Sequence, residues 1–190
     1  MPQVGVRFHE VMKGWVAVPQ ATFRDSERAW LEIRAQVTIE NLDAFLADES
    51  HGGQLVGAIH FDPLGHSIPA TGHVELFTNY PDTATRLMRY QASFEANGVG
   101  YMMIGTKYLS KSAGPNVWAH TTTLFTTIAR GGSGGYSSVA AGVIRLSLWQ
   151  GARMLFTLRG TGSDSLTTRT NAVFRFVRFF AGAVSAVYFH

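Results

Sequence analysis

The chain has 190 residues, 46% of them hydrophobic, 12% aromatic and 15% charged, with a formal net charge of +3 and no cysteine. That length suits one domain with its own core, the composition excludes a disordered chain, and the missing thiols exclude disulfides, thiolate nucleophiles and cysteine metal sites. No run of about 18 apolar residues and no basic-then-apolar leader occurs, so a cytoplasmic protein without membrane insertion is expected.

The first element is a strand from Val4 to Val18, with Val4, Val6, Phe8, Met12, Val16 and Val18 on one side. Glu10 falls on that same side, where a carboxylate is costly unless something pairs with it or protonates it. A second strand runs from Trp30 to Ile39. The segment "NLDAFLADE" from Asn41 predicts a short Asn-capped helix ended by "HGG". Strands at 54–61 and 71–79 follow, separated by the Pro63 and Gly65 turn, and a fifth from Arg86 to Glu95 places Met88, Tyr90, Ala92 and Phe94 on one face. Asn97-Gly98 signals a hairpin into a sixth strand, Val99 to Leu109. A seventh is "VWAHTTTLFTTIA", an eighth lies near 139–148 and a ninth at Ala152 to Leu158. The intervening "RGGSGGYSS" reads as a mobile loop able to gate an opening, since it lacks the Lys-Ser/Thr that completes a phosphate loop. From Ser165 the period changes: Val173, Phe176, Val177, Phe180, Val184 and Val187 form the stripe of an amphipathic helix. The expected fold is mainly β: one domain, 1–190, an antiparallel β-barrel of about eight or nine strands, with a short helix after strand 2 and a C-terminal helix over 165–188.

Charge divides the chain. Residues 1–95 hold 7 Lys and Arg against 12 Asp and Glu, whereas 96–190 hold 9 against Asp164 alone. The bases are spread along several strands and one helix rather than clustered with aromatics, so complementary halves of one fold are expected, not a nucleic-acid surface. Histidines show no metal-ligand spacing, and neither a GxSxG elbow nor a GxGxxG fingerprint occurs. No metal and no cofactor is expected.

What remains is a set of polar residues at core-like positions. Besides Glu10, Tyr90 lies on an apolar face, Lys107 shares a face with Tyr101, Met103 and Leu109, and His120 shares one with Trp118, Thr122, Leu124 and Ile128. Barrel closure would bring these faces to one interior, where Glu10 would accept a hydrogen bond from Tyr90 or pair with Lys107. Both faces of the strands carrying Lys107 and Glu75 hold apolar residues, so the pattern alone leaves their inward side open. Two readings of Glu10 stand: a brace between strands, or a contact to a guest in an unfilled interior.

Several segments together resemble the extra module attached to some cholesterol-oxidase-like members of the glucose–methanol–choline flavin oxidoreductases. They are "RFHEVMKGW" (Arg7 to Trp15), "LG" followed by "GHVELF" (Leu64 to Phe77), "MRYQASFEANG" (Met88 to Gly98), "GTK" (Gly105 to Lys107), "WAHTTTL" (Trp118 to Leu124) and the C-terminal "RFVRFFAGAVSAVY". The module's usual acidic residue before the Thr triplet is His120 here, and Glu75 replaces what is commonly an amide. With no flavin fingerprint, the resemblance implies a β-rich module for bulky lipophilic molecules, detached from a redox domain. Barrels of lipocalin-like or allene-oxide-cyclase-like build offer an analogy for a cofactor-independent cyclase or isomerase acting on a polyketide- or terpenoid-like substrate. On that expectation Glu10 is the base or acceptor, Tyr90 a donor, Lys107 an electrostatic stabiliser and His120 a further polar contact. Phe8, Met12, Glu75, Phe94, Met103, Trp118 and Thr122 would line the substrate. The alternative is a lipocalin-like carrier or accessory module presenting a lipophilic or sterol-like molecule to a flavin oxidoreductase. No sequence feature fixes the oligomeric state, a dimer being one expectation.

Overall fold

The computed structural model describes residues 3–19, 27–80, 85–110, 122–146 and 157–188. Its elements in chain order are β1 (Gly5–Ala17), β2 (Arg28–Ile39), α1 (Leu42–Ala47), β3 (Gly52–Phe61), β4 (Gly65–Asn79), β5 (Arg86–Ala96), β6 (Val99–Leu109), β7 (Thr123–Gly132), β8 (Gly135–Arg145), β9 (Arg159–Thr161) and α2 (Leu166–Tyr188). Successive strands from β1 to β8 pair antiparallel, and β1 pairs with both β2 and β8, which closes an eight-stranded barrel. The short β9 adds to β1 beyond the end of β8, meeting Gly5–Arg7 while β8 meets Lys13–Ala17.

The registers sort the two mouths. β3/β4, β5/β6 and β7/β8 turn at one end, the hairpin end; α1, α2 and β9 gather at the other, the helix end. At the β5/β6 turn Asn97 (φ 53°) and Gly98 (φ 71°) both take positive φ, the twist that a two-residue hairpin needs and that these residue types tolerate. The Gly-rich segment is no gating loop. Gly131 and Gly132 belong to β7, Gly135 opens β8 opposite Gly132, and only Ser133 and Gly134 are left to turn. A run of glycines reads as a loop in sequence, but between alternating strands it supplies the close turn that a hairpin requires.

Alternation decides what faces inward. On β1 the buried set is Val6, Phe8, Glu10, Met12 and Val16; on β2 it is Ala29, Leu31, Ile33, Ala35, Val37 and Ile39. Each fully buried large apolar side chain contributes about 1.5–3 kcal/mol. The outer face is also apolar in places: Trp15 packs edge-on against Trp30, and Tyr108 against Phe125. The predicted ninth strand at 152–158 lies largely outside the described residues, and the described one begins at Arg159.

At the helix end Asn41 caps α1, its side chain accepting the Ala44 N–H at 3.0 Å. α2 starts with the Ser165 hydroxyl accepting the Thr168 N–H at 3.3 Å. It lays Ala172, Phe176 and Val187 on the barrel, with Phe179, Phe180 and Val184 half-buried beside them. Val177, expected on this face, is exposed instead, because the seated stripe is narrower than its apolar residues. Phe176 lies 5.7 Å from Phe8, and Phe180 lies 4.9 Å from Phe77, so aromatic rings join the helix to the barrel rim. Among the described residues no helix is long and apolar enough to cross a membrane.

Candidate functional site

Glu10, Tyr90 and Lys107 meet inside the barrel. The strand of Glu10 is no neighbour of the other two: β1 is separated from β6 by β7 and β8, so the contact spans the lumen. Tyr90 sits opposite Gly105 and Lys107 opposite Met88, which makes Tyr90 and Lys107 diagonal partners on one face of β5 and β6. The Lys107 ammonium donates to the Tyr90 hydroxyl at 3.0 Å and lies 4.8 Å from the ring centre. Tyr90 in turn donates to Glu10, 3.1 Å from Oε2 and 3.4 Å from Oε1. Lys107 Nζ stands 3.6 Å from Glu10 Oε2, which makes an ion pair. Glu10 is 5%, Tyr90 1% and Lys107 2% exposed, so water shares little in this triad.

Small inward residues surround it. Glu10 pairs with Ala35, Ala35 with Gly57, and Gly57 with Ala70; on the other side Gly105 pairs with Thr126 and Thr126 with Gly142. Gly105 is required by close approach: a Cβ there would stand 2.7 Å from the Leu124 side chain. Large side chains thus enter the lumen over small ones, the taper common in small barrels. Burial, followed by the charge and hydrogen bond of Glu10, holds the Tyr90 phenol well above its ordinary value near 10. Tyr90 is therefore a protonated donor at any physiological pH. Beyond these contacts Glu10 keeps further acceptor sites and Lys107 further N–H groups.

Of the remaining expected site residues, Phe8, Met12, Phe94 and Met103 all point inward and are buried, Phe94 stacked on Tyr101 at 5.4 Å. Thr122 is buried just before β7. Glu75 does not join the interior: it faces out, 30% exposed, and pairs with Arg89 at 3.3 Å. Plain alternation puts it there: Ile68, Ala70 and Val74 are buried in one phase and Glu75 falls in the other with Thr71 and His73, while the bulge that follows, between Glu75 and Thr78, buries Leu76, Phe77 and Thr78 in succession. Trp118 and His120 lie outside the described residues. Sequence reasoning missed Thr126, 3% exposed on the inner face of β7 and signalled by its phase with Leu124 and Ile128. It also missed His51, which no strand or helix period marks.

Among the described residues no group of three or more His, Asp or Glu is placed to hold a metal ion. His60 and His66 touch on the outer wall, where His60 Nε2 stands 2.9 Å from Asp62. No family model, curated protein or solved structure matches the chain. The class that fold and site define is an eight-stranded antiparallel barrel with a buried carboxylate–phenol–ammonium triad across its lumen.

Proposed function

We propose that the protein is a cofactor-independent cyclase or isomerase that folds a lipophilic, polyketide- or terpenoid-like substrate inside the barrel. One observation carries this reading: the Glu10–Tyr90–Lys107 triad, whose Glu10 and Lys107 are the charged groups among the buried, described residues of a mainly apolar interior. Such a set is costly to bury, and well-packed apolar residues serve structure equally well, so its presence favours a chemical task. In the proposed reaction Glu10 takes a proton from the carbon next to a substrate carbonyl, and Lys107 stabilises the charge developing on that oxygen. Tyr90 holds both groups in place. The proton returns to the product, so bonds rearrange without change of mass. Acid–base help of this kind gives about 10²–10⁴-fold, and confinement of a long chain in a reactive conformer adds more.

The test is incubation of the purified protein with linear polyene or polyketone precursors, followed by chromatography for an isomer of equal mass. Glu10→Gln and Tyr90→Phe are expected to keep the barrel's circular dichroism and lower turnover about 10²-fold. Unchanged rates in both variants would refute the mechanism. The second reading, a carrier or accessory module, is favoured by the mutual satisfaction of the triad's own hydrogen bonds. It predicts tight binding of a lipophilic fluorophore with no product formed.

A further inference from the structure

Where α2 crosses the rim at the start of β5, it leaves a cleft of about 520 Å³. Arg86 of β5, Arg175 and Arg178 of α2, His51, Phe77 and Phe179 line it, and among the described residues no carboxylate does. The cations are unevenly occupied. Arg175 donates to Asp43 at 2.7 Å, and Arg86 gives one N–H to the Phe77 carbonyl at 3.2 Å, while Arg178 has no partner among the described residues. His51 adds a buried Nδ1 with no hydrogen-bond partner. Its ring is held 4.7 Å from Phe179 and 5.3 Å from Phe45, and burial in that setting pushes its pKa below the ordinary value. Phe77 sits in the β4 bulge with φ 57°, a conformation that a Phe rarely adopts and that turns its carbonyl to Arg86.

An apolar floor under guanidinium groups that keep N–H donors to spare, Arg178 all of them and Arg86 most, is the chemistry of an anion carried on a hydrocarbon. We propose that this cleft binds the oxyanion headgroup of a small monomeric amphiphile, a carboxylate or phosphate on an apolar chain. The oxyanion lies between Arg86 and Arg178, and the first carbons of the chain rest on Phe179 and Ala183. The cleft's volume falls in the range of small-molecule sites, about 300–1,000 Å³. It lies outside the lumen and does not depend on Glu10, so the proposal stands or falls apart from the catalytic reading.

Calorimetric titration of the full chain with decanoate, decyl phosphate and decanol tests it. Both anions are expected to bind, with decanol at least tenfold weaker, and decanoate is expected to move the His51 ring signals in NMR. Arg178→Ala should weaken decanoate tenfold or more while Arg178→Lys recovers part of the loss, and Glu10→Gln should leave decanoate affinity as it is. Arg86→Gln, a second variant, is expected to act in the same direction as Arg178→Ala. Equal affinity for decanol and decanoate, or an Arg178→Ala protein that binds decanoate like the parent, overturns the proposal. So does capture by phosphatidylglycerol vesicles without binding of the monomeric anions, which would make the cleft a membrane contact.

Discussion

Removing one charge from the lumen is different from removing both. Glu10→Ala leaves the 2%-exposed Lys107 ammonium without its counter-charge, and such a half-broken buried pair costs about 3–5 kcal/mol. The triple change Glu10→Leu, Tyr90→Phe and Lys107→Met is expected to be neutral or stabilising in urea unfolding, because apolar residues of similar size fill the space with no charge to desolvate and no buried hydroxyl left without a partner. Tyr90 makes a separate prediction with pH. Its folded pKa is raised, so below the unfolded value near 10 both states hold the proton and its contribution is fully present. As pH rises past 10 only the unfolded chain ionises there, and stability falls. Alkaline unfolding followed by circular dichroism should show that loss, and Tyr90→Phe should make it shallower.

At the scale of elements, some features are written locally and others are not. Asn97-Gly98 announced its hairpin because both positive φ values are properties of those two residues. Glu10 was legible as inward because Val6, Phe8, Met12 and Val16 fall in phase with it while Arg7, His9 and Lys13 fall on the other side. Lys107 was not, since β6 buries Tyr101, Met103 and Leu109 while also exposing Ile104 and Tyr108, and only the pairing with β5 and β7 chooses between the faces. Glu75 faces out in phase with Thr71 and His73, and what a period of two could not show was the bulge after it that buries Phe77 and Thr78 beside Leu76. His51 needed α2 beside it before it had any environment at all. Two element-level outcomes are measurable by urea unfolding. Asn41→Ala should cost about 1 kcal/mol through the lost α1 cap. Phe176→Ala, which empties the ring contacts with Phe8 and Phe45, should cost about 3–5 kcal/mol.

For the molecule as a whole, the opposite charges of the two halves find a use. Lys107–Glu10 and Arg175–Asp43 each join a base of the second half to an acid of the first. The same distant pairing governs kinetics. Closure needs Lys13–Ala17 of β1 to find Ala141–Arg145 of β8, so most of the chain is looped out before the last ladder forms. Refolding from urea should accordingly take about milliseconds to seconds, the range of barrels rich in non-local pairs, rather than microseconds.

That seam has a consequence during synthesis. While β8 is still inside the ribosome, β1 has only β2 beside it, and β7 has only β6. A nascent chain at that stage is an open sheet with two raw margins, the form most prone to stick to its own copies. A stop codon before residue 135 should therefore give polymeric aggregates, visible by light scattering, and not a smaller soluble ring.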